Sequence, residues 1–187
     1  QDIEVNSLIK GTLFSPKNIN KKTKLVILIA GSGPTNRSGN QFGVLTNSLK
    51  YLAEGLVENN IAVFSYDKRL FAQMKSGKID EKLDRFDDMI VDATSVLDYF
   101  KSQKKFKKII IAGHSEGSLI GMVTALKKAD GFISLAGAGR PIDEVLKEQL
   151  VKQLPNLETT INGYLAKLRE GTTFELTSKN PTITSIF

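Results

Sequence analysis

Four short apolar runs do most to limit what this chain can become: "KLVILIA" (24–30), "IAVFSYD" (61–67), "KIIIAG" (108–113) and "GFISLAG" (131–137). "KLVILIA" and "KIIIAG" are continuous rather than alternating, which is the pattern of strands covered on both faces. Helical periodicity fills the gaps between the runs. In 45–59, Leu45, Leu49, Leu52, Ala53 and Leu56 share one face. Phe86, Met89, Ile90, Ala93, Val96, Leu97 and Phe100 do the same, with Asp84 as the expected cap and Asp87 and Asp88 suited to a helix start. "SLIGMVTALKK" (118–128) reads as a helix apolar nearly all round, and so buried. Residues 3–13 partly alternate and suggest an early strand, and 68–84 reads as a loop with short helical pieces. Strands alternating with helices require crossovers, and therefore an α/β fold with a mainly parallel sheet.

The pattern changes after residue 138. "PIDEVLKEQLVKQL" (141–154) and "LETTINGYLAKLRE" (157–170) are two amphipathic helices split by Pro155, and the polar, β-branched tail has no clear period. The expected organisation is a sheet core over 1–138 and a helical unit with tail over 139–187. With 187 residues and 41% hydrophobic content, a sizeable core is within reach. No cysteine is present, which excludes disulfides, thiolate metal sites and cysteine catalysis. No apolar run reaches the roughly 18 residues that span a bilayer. The chain begins at Gln1, without an initiator Met. It reads as a mature chain freed of a signal peptide, hence secreted or periplasmic; the other reading is a trimmed, cytoplasmic one. Net charge is +6, and much of the excess lies in "KSQKKFKK" (101–108). That run reads as a solvated helix end facing the C-terminal dipole rather than as a nucleic-acid site.

"IAGHSEGS" (111–118) carries the chemistry. Gly113-His114-Ser115-Glu116-Gly117 fits G-x-S-x-G where a strand ends and a helix begins. Such a turn holds a serine out at the top of the sheet, and its two glycines permit the close approach of helix and strand. The helix N-terminus adds free N–H groups and a favourable dipole for developing negative charge. Acyl transfer needs two N–H donors on the oxyanion. One would be Glu116; the other would come from "AGSGPTNR" (30–37), with Ser32 or Gly33 well placed and Gly31 beside them.

In this order, Gly113–Gly117, Gly31-Ser32-Gly33-Pro34 and "YDKR" (66–69) resemble the α/β-hydrolase superfamily, in its bacterial branch of serine esterases and serine-aminopeptidase-like hydrolases. The likeness covers roughly residues 8–170. It implies a three-layer fold with a helical lid after the sixth strand, matched by 141–170. Leu146, Leu150 and Tyr164 would then contribute to an acyl pocket. Two departures stand out. Ala30 replaces the usual histidine of the first loop, and Leu70 replaces the glycine that usually follows "YDKR". Asp67 and Arg69 read as a structural pair near the site.

His114 is the sole histidine. As the neighbour of Ser115 near a strand end it points to the other side, so it reads as a residue supporting the turn rather than as the base. In this fold the acid and histidine follow the serine. The resemblance implies two further strands carrying them, and the chain stops before either. Lys68 is the best internal substitute. The expectation is therefore an N-terminal portion of a serine hydrolase that cleaves carboxylic esters, thioesters or amides through an acyl-enzyme on Ser115. It would need no metal or organic cofactor, act on a small ester or acyl substrate, and be nearly inactive alone. The alternative is a non-catalytic binding or interaction protein of the same fold.

Overall fold

The computed structural model describes residues 1–77, 85–127 and 129–187. Two compact units divide it, Gln1–Gly137 and Ala138–Phe187. In the first, six strands form one sheet: β1 (Asp2–Glu4), β2 (Lys10–Phe14), β3 (Lys24–Ile29), β4 (Ile61–Tyr66), β5 (Lys108–His114) and β6 (Gly131–Leu135). Their spatial order is β1-β2-β4-β3-β5-β6. β1–β2 and β2–β4 pair antiparallel, and the rest are parallel. The helices are α1 (Ser48–Glu58), α2 (Arg69–Ser76), α3 (Phe86–Gln103) and α4 (Glu116–Ala125).

The continuous apolar runs are explained by helices on both faces. Leu25, Ile27 and Ile29 join Phe64 and Ile111 in a cluster with Ala93, Val96, Leu97 and Phe100 of α3 and Ile120 of α4. Val26, Leu28 and Ala30 join Val63 and Ala112 in a second cluster, against Leu49 and Ala53 of α1. Adjacent residues of β3 thus bury themselves in opposite layers, as the twofold alternation of a strand requires. The result is a three-layer α/β arrangement with a mostly parallel sheet.

Some local expectations are revised. The early strand is in fact two, because the Asn6 side chain accepts the amides of Leu8 and Ile9 and turns the chain between β1 and β2. The stretch after Lys68 contains an eight-residue helix, α2, in keeping with the short helical pieces expected there. Asp84 lies outside the described residues. At the start of α3 the Asp88 carboxylate accepts the Arg85 amide at 3.3 Å. α4 begins at Glu116 and is not buried all round: Leu119 and Met122 are each 48% exposed.

The second unit holds α5 (Ile142–Gln153), a 3₁₀ turn at Pro155–Leu157, α6 (Glu158–Arg169) and α7 (Pro181–Ile186). The tail read as aperiodic therefore contains a helix. Pro181 opens it, and the Asn180 side chain accepts the amides of Thr182 and Ile183. Leu150, Ile161, Tyr164, Leu165 and Ile183 form this unit's own core.

Candidate active site

β3 is flanked by β4 on one side and β5 on the other, so successive crossovers leave it in opposite directions. A crevice forms at such a switch point, beyond the carboxyl ends of the strands. Ser115 sits there, immediately after β5. Its backbone is at φ 53°, ψ −119°, a conformation non-glycine residues rarely adopt. Its amide donates to Leu135 O at 2.9 Å and its carbonyl accepts from Ser118 N at 2.9 Å, so the strain is held at both ends.

Both flanking glycines are required by contact. A Cβ on Gly113 would collide with the carbonyl of Gly117, and one on Gly117 would collide with the carbonyls of Ile29 and Ala30. The helix therefore starts in contact with two strands. A Cβ on Gly31 would lie 3.3 Å from Ser115 Cβ and 3.0 Å from His114 Nδ1, which puts the first loop directly beside the serine.

That glycine-rich loop is held by named polar contacts. Gln41 Nε2 donates to Ser32 O at 2.7 Å and to Thr35 Oγ1 at 2.9 Å. Lys68 N donates to Thr35 O at 3.1 Å. Beyond it, the Asn36 side chain accepts the amides of Ser38 and Asn40, and the Asn40 side chain accepts those of Thr46 and Asn47. The amides of Ser32 and Glu116 donate to no acceptor among the described residues. Ser115 Oγ likewise has no hydrogen-bond partner there. A cavity of about 320 Å³ opens beside it, lined in part by Gly31, Ser32, Gln41, Val44, His114 and Ser115. A second, of about 160 Å³, is bordered by Gly33, Lys68, Leu70, Phe86, Met89 and Glu116.

Lys68 has a role the sequence did not reveal. It is buried, and its ammonium donates to Gly31 O at 2.9 Å and to the Glu116 carboxylate at 2.7 Å. One side chain thus ties the first loop to the residue after the serine. Asp67 and Arg69 do not pair with each other. Asp67 takes the Arg37 guanidinium in a two-point contact (3.1 and 2.7 Å) and also accepts the Arg37 amide. The carboxylate holds the Arg37 guanidinium charged, above its ordinary pKa. Arg69 grips Asp92 through two bonds of 2.7 Å. Asp67 follows the end of β4 and Arg69 opens α2, so the two sit on different stretches of backbone and each finds a different partner. His114 is exposed rather than packed under the turn. Leu150 and Tyr164 are buried in the core of the helical unit, and Leu146 packs against that core; their apolar surface is met by neighbouring helices.

This geometry can be set beside known proteins. The family model described as serine aminopeptidase, S33 (Hydrolase_4) matches residues 42–184. The chain belongs to this family of α/β-hydrolases. It is 32% identical over 176 residues to esterase EstD of Thermotoga maritima, an alignment covering 90% of this chain and 40% of that protein. Its fold is similar to that of Est1E from Butyrivibrio proteoclasticus, with a TM-score of 0.57 at 22% identity over 79% of this chain and 54% of the other. It is also similar to a highly thermostable carboxyl esterase from Bacillus coagulans, with a TM-score of 0.56 at 19% identity over 84% and 49%. The chain thus spans about two fifths of the curated relative it matches and about half of these solved structures.

Proposed function

We propose that this S33-family chain carries the nucleophile and oxyanion loop of an esterase, with Ser115 as the attacking group. The observation that carries the reading is the strained Ser115 backbone at a strand-to-helix turn, with the first loop in contact beside it. Ser115 Oγ adds to the acyl carbonyl of a small carboxylic ester. The N–H groups of Glu116 and Ser32 receive the oxyanion, the alcohol leaves, and water releases the acyl group from the serine. Thioesters and amides follow the same path. A histidine outside these 187 residues, oriented by an acid, takes the serine proton. The cavity at Leu70, Phe86 and Met89 offers apolar surface for an acyl chain. The similarity to an esterase across 90% of the chain supports the substrate class.

A second reading, a binding protein on the same fold, is favoured by one observation: no hydrogen bond joins Ser115 Oγ to a side chain among the described residues. A fluorophosphonate probe on the complete gene product separates the two. Rapid labelling that maps to Ser115 and vanishes in Ser115→Ala is the expected result. A folded gene product that resists the probe and releases no p-nitrophenol from p-nitrophenyl acetate would sink the esterase reading.

A further inference from the structure

The end of the sheet opposite Ser115 gathers positive charge from two separate segments. β3 and β5 both start there, with Lys24 beside Lys108 in the parallel register. The segment entering β3, residues 15–24, brings Lys17, Lys21, Lys22 and Lys24. The segment joining α3 to β5, residues 101–108, brings Lys101, Lys104, Lys105, Lys107 and Lys108. Neither contains an acid. The two are stitched together, since Lys107 N donates to Thr23 O at 2.8 Å. Nine lysines against a net charge of +6 leave −3 for the rest of the chain, so the molecule is strongly polarised. "KSQKKFKK" alone reads as a solvated helix end; its alignment with a second lysine segment is a product of the strand pairing.

All of these lysines except the half-buried Lys101 are exposed. Lys17, Lys21, Lys22, Lys24, Lys104, Lys105, Lys107 and Lys108 form no ion pair among the described residues. Their presentation is ordered. Asn20 and Thr23 close a turn through Thr23 N to Asn20 O and Asn20 N to Thr23 Oγ1, which leaves Lys21 and Lys22 at its tip. Ile19, 42% exposed, stands beside them. Three acids belong to the elements that adjoin these segments: Asp98 lies near the end of α3, Asp130 has its carboxylate engaged by Ile109 N, and Glu58 ends α1.

We propose that this lysine face docks the protein on an anionic lipid surface, with the Ser115 end of the sheet turned away. β5 has seven residues at roughly 3.3 Å each, so the serine would stand about 20 Å above the lysines. Clustered lysines with an exposed apolar residue suit a headgroup layer, where diffuse attraction needs point charges rather than shaped contacts. Base-reading and single-strand nucleic-acid sites add arginine forks and open aromatic faces to the basic groove. The two segments contain no arginine, and their one aromatic residue, Phe106, packs against the core.

The test is co-sedimentation of the chain with vesicles of phosphatidylglycerol and phosphatidylcholine, against phosphatidylcholine alone. Binding should require phosphatidylglycerol and fade with salt, as the screening length falls from about 10 Å at 0.1 M to about 3 Å at 1 M. Lys21→Glu with Lys104→Glu should weaken binding at least tenfold. Lys147→Glu with Lys152→Glu makes the same change in net charge on other exposed residues and should leave binding nearly intact. Lys21→Gln with Lys104→Gln should fall between, and a circular dichroism melt checks that each variant is folded. Equal loss in both reversal pairs, no preference for phosphatidylglycerol, or tighter binding to duplex DNA than to the vesicles would overturn the proposal.

Discussion

At Gly117 the backbone leaves no room for a methyl group, because the carbonyls of Ile29 and Ala30 occupy that space. Gly117→Ala must therefore push α4 away from β3 or distort the turn. The expected result is a destabilisation of about 1–3 kcal/mol, the usual range for overpacking, read as a lower denaturant midpoint at unchanged slope. Lys68 makes a different kind of contribution, since its ammonium joins Gly31 O to the Glu116 carboxylate. Lys68→Met should slow fluorophosphonate labelling of Ser115 in the complete gene product by about tenfold to a hundredfold, as small displacements of catalytic groups do. Glu116→Gln should cost less, and the double variant should be no slower than Lys68→Met alone. An unchanged labelling rate alongside a lowered melting temperature would reduce Lys68 to a structural role.

Among the elements, β4 carries a polar group at odds with its surroundings. Ser65 is fully buried, and its hydroxyl has no partner among the described residues. Ser65→Ala removes that unpaired hydroxyl and should raise stability by about 1 kcal/mol in chemical denaturation; a lower midpoint would mean the hydroxyl is satisfied in solution. In the second unit, a hydrogen bond and ion pair to Arg169 hold the Asp143 carboxyl below its ordinary value of 3.8. A depressed folded-state pKa stabilises above the unfolded value and is lost as pH falls through the folded one. The melting-temperature gap between the native chain and Asp143→Asn should therefore close as pH drops below about 4, and high salt should close it at any pH. The parallel strands were legible because burial on both faces leaves continuous apolar runs, and α1 and α3 because their faces repeat at helical spacing. α2 was legible only as a short helical piece within a loop, and α7 not at all: eight and six residues give too few repeats for a period. Ser115 and the glycine loop were readable from local constraints of the turn. The contacts of Lys68, Gln41 and Arg37 join residues 6 to 48 positions apart, and such polar pairings leave no periodic trace.

At the scale of the whole sheet, the two edges differ. β1, the short strand at one end, carries Asp2 and Glu4, which pair with Arg37 and Lys10. Charges of this kind discourage further strand addition. β6, at the other end, has the sequence "GFISL" and no charged residue. Its Ile133 is 45% exposed, and Leu119, Met122 and Leu126 of the neighbouring α4 segment are exposed as well. An uncharged parallel edge beside an apolar flank is a template for another strand. The chain should therefore self-associate with rising concentration, read as an increasing mass by light scattering after size exclusion. Ile133→Lys places a charge on that edge without entering either core cluster, and should shift the population toward the 20.6 kDa monomer. A native chain that stays monomeric at high concentration would show that the β6 edge is protected in solution. An Ile133→Lys chain that associates as strongly as the native one would move the contact elsewhere on the surface.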